Sequence, residues 1–62
     1  MAWLAADYRG ECIYEKHPHR VLMCDCWLPL SGDDHWVMLP KGTIKKIIGR
    51  ELTWKDEPVE IE

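Results

Sequence analysis

Six side chains that bind soft metals fall within 24 residues of this 62-residue chain: Cys12, His17, His19, Cys24, Cys26 and His35. Zinc takes four nitrogen or sulfur ligands in a tetrahedron, and a small domain gains folding energy from such a site. The spacings here are Cys-x-Cys and His-x-His, not the Cys-x₂₋₄-Cys of a zinc knuckle. On a strand, residues i and i+2 share a face but start ~6.5–7 Å apart, so these pairs do not converge unaided. The plainer reading makes Cys24 and Cys26 small core residues and the histidines polar loop positions. A zinc-stabilised domain stays as an alternative, and no metal or other cofactor is expected.

Cysteine with histidine is also the minimum for a thiol enzyme. No helix N-terminus or glycine-rich turn flanks the cysteines, and so short a chain leaves little wall for a substrate pocket. Lys41-Gly42-Thr43 lacks the Gly-x₄-Gly-Lys-Ser/Thr pattern of a phosphate loop. The expectation is a protein without enzymatic activity. Three cysteines cannot all pair within one chain, and no secretory leader is recognisable, so reduced thiols in a cytoplasm are expected.

Two sets of residues point to binding instead. Lys41, Lys45, Lys46 and Arg50 form a local cluster of four positive charges with no acid between them. Beside aromatic rings such a cluster would suit nucleic acid. The chain carries 8 basic and 11 acidic residues, for a net charge of −3, and the acids from Glu51 onward weaken that footprint. Trp27, Trp36, Met23 and Met38 form the second set. Tryptophan and methionine are enriched at the centres of protein interfaces, and an uncovered patch of them marks a partner or a self-interface. They would equally form a second core layer under the helix.

The elements that position these residues follow from alternation and breakers. Ala2–Tyr8 reads as a strand, Arg9-Gly10 as a turn, and Glu11–Lys16 as a second strand. His17-Pro18-His19-Arg20 reads as a polar connection, because proline cannot donate to a ladder. Val21–Leu28 reads as a third strand, Ser31–Asp34 as a loop and His35–Leu39 as a fourth strand. A hairpin closed on that loop would pair Leu28 with Val37, Trp27 with Met38 and Cys26 with Leu39. One face would then carry Leu22, Cys24, Cys26, Leu28, Val37 and Leu39. The other would carry Met23, Asp25, Trp27, Trp36 and Met38.

Thr43 is placed to cap a short helix whose Ile44, Ile47 and Ile48 lie on one side, and Gly49 to end it. Under two turns, that helix is stable only when docked. Thr53-Trp54-Lys55-Asp56 has capping-box spacing and predicts a single turn before Pro58. Val59–Glu62 alternates as a last strand with Val59 and Ile61 inward. The expected fold is mainly β (α+β): one domain over residues 1–62. It would be a small curved antiparallel sheet or SH3-like half-barrel of four to five strands, with one short helix before the last strand.

The stretch Leu39-Pro40-Lys41-Gly42-Thr43-Ile44-Lys45-Lys46-Ile47-Ile48-Gly49-Arg50, with Leu52-Thr53-Trp54-Lys55-Asp56-Glu57-Pro58-Val59-Glu60-Ile61, resembles small uncharacterised proteins of bacteriophages and mobile elements of gut bacteria. The likeness covers this C-terminal segment well and the rest loosely. It implies a phage or mobile-element setting in a bacterial cytoplasm, and it brings neither an activity nor functional residues.

Apolar residues make up 47% of the chain, yet no apolar run reaches the ~18 residues of a membrane span. With four tryptophans and no phenylalanine, the large-side-chain burial rests on a few rings. The leading expectation is a cytoplasmic interaction module that meets a protein partner or itself through Trp27, Trp36, Met38 and Met23. A nucleic-acid accessory protein using Lys41, Lys45, Lys46 and Arg50 is the alternative, and no membrane partner is expected.

Overall fold

Leu4 and Ala6 point to one side of a strand, Trp3, Ala5 and Asp7 to the other, and both sides are covered. In a computed structural model describing all 62 residues, this strand is β1, Ala2–Asp7. It is followed by β2 (Gly10–Tyr14), β3 (His19–Val21), β4 (Cys26–Leu28), β5 (Trp36–Leu39), the helix α1 (Thr43–Ile48) and β6 (Val59–Ile61). Four strands form one antiparallel sheet in the order β5-β2-β1-β6, and β3 with β4 forms a separate two-stranded ribbon. The protein is therefore mainly β with one short helix before the last strand. The sheet is small and does not close into a barrel.

Register sorts the side chains into two layers. Leu4 lies opposite Ile13 and Val59, and Ile13 opposite Val37. This face is covered by α1: Ile44 and Leu52 are buried with Leu4 and Ala6, and Ile13, Leu39, Ile48, Val59 and Ile61 pack around them. Trp3 lies opposite Tyr14, Ala5 opposite Cys12, and Tyr14 opposite Trp36. This second face is covered by the β3–β4 ribbon. Trp27 is buried there with Ala5, Cys12 and Tyr14, and Trp3, Trp36 and Trp54 pack around them. The chain thus builds two small cores back to back, sharing β1 and β2.

Two expectations about the middle of the chain are overturned. Val21–Leu28 is not one strand. Asp25 takes a left-handed conformation, with φ 51°, and Leu22–Asp25 turns the chain back so that Val21 pairs with Cys26. The strand partner of β4 is therefore β3, which includes His19 and Arg20 from the expected connection. β5 pairs with β2, not with β4, so the expected facing of Leu28 with Val37, Trp27 with Met38 and Cys26 with Leu39 does not occur. The two loops, Leu22–Asp25 and Ser31–Asp34, are both four residues long, so loop length does not choose between them; the left-handed Asp25 turns the chain at the first.

The helix stands where its isoleucines predict it, but its cap comes from elsewhere. The N-cap is Gly42, in a left-handed conformation (φ 93°) with no side-chain cap of its own. Glu11 on β2 supplies the acceptors: its Oε2 takes the Gly42 N–H at 2.6 Å and its Oε1 the Ile44 N–H at 2.7 Å. Thr43, the expected cap, donates its hydroxyl to the Pro40 carbonyl at 2.6 Å. Gly49 ends the helix as expected: with φ 84°, it donates its N–H to the Lys45 carbonyl at 2.8 Å. Thr53 and Asp56 form the expected single turn, with the Asp56 carboxylate accepting the Thr53 N–H at 2.8 Å and the Asp56 N–H reaching the Thr53 carbonyl at 3.0 Å.

Because Glu11 joins the helix to the sheet by two charge-assisted hydrogen bonds, Glu11→Ala is expected to cost about 1–3 kcal/mol. Urea unfolding should show a lower midpoint with a similar slope. A midpoint equal to that of the parent chain would mean the helix docks without this cap.

Candidate interaction surface

The β1–β2 turn aims one carboxylate under the β3–β4 ribbon. The Asp7 side chain is 1% exposed. Its Oδ2 accepts the Trp27 N–H at 2.9 Å and the Arg9 Nη2 at 2.8 Å, and its Oδ1 accepts the Arg9 N–H at 2.9 Å. Arg9 Nη2 also donates to the Trp27 carbonyl at 2.7 Å, as does the Tyr14 hydroxyl at 2.9 Å. Both backbone polar groups of Trp27 are thereby satisfied by side chains from the sheet. Burial works to raise the Asp7 pKa, but the hydrogen bonds from Arg9 and Trp27 and the Arg9 charge outweigh it and hold it below its ordinary value. Burial pushes the Tyr14 phenol up, keeping it a donor.

Trp27 accordingly does not belong to a partner surface. It is 2% exposed. Its indole N–H donates to the Ala6 carbonyl at 3.1 Å. β6 begins opposite Leu4, with Val59, so Ala6 lies beyond the end of that ladder, and the indole takes its place. The ring meets Trp54 edge-on at 5.4 Å, and Arg20 lies 4.5 Å from both ring centroids. Trp36 is half-buried, stacked on Tyr14 at 5.7 Å with Arg9 4.9 Å from its centroid. Met38 is 47% exposed, with its sulfur 3.4 Å from Cys12 Sγ. Met23 is fully exposed in the turn of the β3–β4 ribbon. Of the four residues expected to form one patch, only Trp36 and Met38 share a strand at the sheet edge.

That strand, β5, is bonded on one side only. Glu15 donates its N–H to the His35 carbonyl at 2.9 Å, which makes Glu15 and His35 a hydrogen-bonded pair. Antiparallel pairs alternate, so His35, Val37 and Leu39 direct their N–H and C=O groups to β2, and Trp36 and Met38 direct theirs outward. None of the backbone hydrogen bonds outside the strands and helix involves Trp36–Leu39. The strand contains no charge, proline or bulge of the kind that guards a sheet edge. Val37, which the sequence reading assigned to a core face, is 58% exposed. Next to it an open groove of about 300 Å³ is lined by Met1, Ala2, Ile13, His35, Trp36 and Val37. The helix spans only six residues, and of β5 only Leu39 packs against the core it covers. The turn residues Ser31–Asp34 before it and Pro40 after it marked His35–Leu39 as a strand. Its place at the edge depends on pairing with β2, which the sequence does not signal.

The other expected sites are dispersed. Lys41, Lys45, Lys46 and Arg50 are all exposed and make no ion pair. Trp27, Trp36 and Tyr14 lie on the opposite side of the sheet from α1, so the lysines have no stacking platform from them. The potential zinc ligands do not assemble: no three of the chain's His, Cys, Asp and Glu side chains form a metal-holding group. Cys12 is buried in the aromatic core, His17 lies against Trp3 at 4.5 Å, and His35 faces Glu15 at 3.7 Å. The expectation of three reduced thiols is also corrected, because Cys24 and Cys26 form a disulfide. The left-handed turn at Asp25 brings their Cα atoms to 5.4 Å, closer than an extended strand permits. The largest cavity, about 430 Å³, includes Asp7, Arg9, Glu11, Lys41 and Glu51 in its lining, and the Asp7 and Glu11 carboxylates are already occupied as described.

No family model, curated protein or solved structure matches the chain. No helix is long and apolar enough to cross a membrane.

Burial pushes the Cys12 thiol up, and it is the one free cysteine. Titration with Ellman's reagent without reductant should find no fast-reacting thiol in the native protein and one after unfolding. Three reactive thiols on unfolding would contradict the Cys24–Cys26 bond.

Proposed function

We propose that this protein is a protein-interaction module that docks its partner along the free edge of β5. The observation that carries this reading is the unbonded backbone of Trp36 and Met38 on an unguarded apolar edge. A strand with free N–H and C=O groups accepts an added strand, with main-chain hydrogen bonds giving affinity and side chains giving selectivity. Trp36, Val37 and Met38 flank that backbone with apolar surface on both faces, and the groove beside Val37 offers a shallow apolar seat. Two of the residues expected from composition, Trp36 and Met38, lie on this edge. Trp27 serves it only by holding the aromatic layer in place, and Met23 lies apart.

Residue-resolved amide exchange on dilute, monomeric protein tests this reading. The Val37 and Leu39 amides, bonded to β2, are expected to exchange at least about tenfold more slowly than those of Trp36 and Met38. Slow exchange at Trp36 and Met38 in the dilute monomer would mean the edge is already covered, and the reading would fall.

A further inference from the structure

We infer that the strand which docks on β5 is β5 of a second copy, antiparallel, with Trp36 opposite Met38 and a two-fold axis at Val37. This rests on the edge being a docking site. Only outward-facing residues can form hydrogen-bonded pairs across the edge, and on β5 these are Trp36 and Met38. Three symmetric registers bring outward residues together. Placing Met38 opposite itself sets Trp36 against Pro40, which has no N–H to give. Placing Trp36 opposite itself sets Met38 against Asp34, whose N–H is already donated to the Ser31 carbonyl at 3.1 Å. Placing Trp36 opposite Met38 uses every free group on both copies.

The side chains agree with that register. Paired residues share a face, so Val37 meets Val37 of the second copy on the helix side, continuing the row Leu4–Ile13–Val37 across the axis. On the other side, Met38 of each copy lies against the Trp36 ring of its neighbour, a favourable sulfur–aromatic contact. Beyond the strand ends, the same register sets Lys41 opposite Asp33. Both are exposed and neither has an ion-pair partner within its own chain. His35 falls opposite Leu39 and Asp34 opposite Pro40, so no like charges are opposed. The contact is four residues long on each copy, ~14 Å, which places it among weak, concentration-dependent interfaces.

Sedimentation equilibrium from about 10 μM to about 1 mM should show the mass rising from the 7.3 kDa chain toward twice that value. Val37→Lys opposes two charges on the axis at an already exposed position, and should stay folded by circular dichroism and remain monomeric throughout. Lys41→Glu should weaken dimerisation about tenfold, and the exchanged pair Asp33→Lys with Lys41→Glu should recover most of it. The register is read by cross-linking under oxidised glutathione. Val37→Cys should form a dimer through residue 37, since facing non-hydrogen-bonded residues sit within disulfide reach, and Met38→Cys should not. A wild-type mass that stays at 7.3 kDa up to about 1 mM, or a dimer that survives Val37→Lys, overturns the second copy as occupant. If the Trp36 and Met38 amides still exchange freely in that case, the edge remains a docking site for another protein. If they do not, the edge reading fails as well.

Discussion

The buried carboxylate of Asp7 organises one half of this molecule. A carboxylate taken out of water needs its charge and its lone pairs satisfied, or it costs several kcal/mol. Here both needs are met by groups that would otherwise be unattached. Arg9 folds back over the turn to form the ion pair at 2.8 Å, and its remaining donor capacity reaches the Trp27 carbonyl. The Trp27 N–H closes the circuit. In this way a polar node, and not apolar contact alone, fixes where the β3–β4 ribbon lies on the sheet. No buried side-chain polar atom in the protein is left without a partner. The ring of Trp27 can then fill the space above Ala5 and Cys12, where small side chains make room for it.

Glu11 does the corresponding work on the opposite face. It is the second acid whose side chain leaves the sheet to serve another element, and it fixes a helix too short to hold itself. The two carboxylates come from strands joined by one tight turn. Each fastens one layer, so the β1–β2 hairpin is the frame to which both cores are attached. With both layers so fastened, apolar side chains stay exposed in several places, Leu22, Met23, Leu30 and Ile47 among them, and Val37 with Met38 forms the surplus on β5. That surplus is what the proposed docking uses.

Much of this fold was legible in the sequence where the signal was local. Alternation marked β2 and β6, flanking turn residues marked β1 and β5, the isoleucine spacing marked α1, and Gly49 and the Thr53–Asp56 turn were read correctly because their partners lie within a few residues. What failed was non-local. Nothing near Glu11 or Gly42 signals that one caps the other, and Thr43 carries the ordinary cap signal. Nothing in Val21–Leu28 separates one long strand from two short ones, since the apolar residues suit either and only the left-handed Asp25 decides. Trp27, Trp36, Met38 and Met23 were grouped by composition, and the wrong partner for β4 put them on one face. The free edge itself was hidden for the same reason, because an edge is a property of the strand order.

The most direct measurement is amide hydrogen exchange across the β3–β4 ribbon in the parent chain and in Asp7→Asn. Asn has nearly the same shape, but carries no charge to hold Arg9 and has one acceptor oxygen where Asp7 uses two, one for the Trp27 N–H and one for the Arg9 N–H. If the carboxylate fastens the layer, the Trp27 amide and the flanking His19–Leu28 and Val21–Cys26 pairs lose most of their protection in Asp7→Asn, while the β1–β2 pairing keeps more of its own. Equal protection of the Trp27 amide in both proteins would show that apolar packing alone holds the ribbon, and would contradict the role given to Asp7.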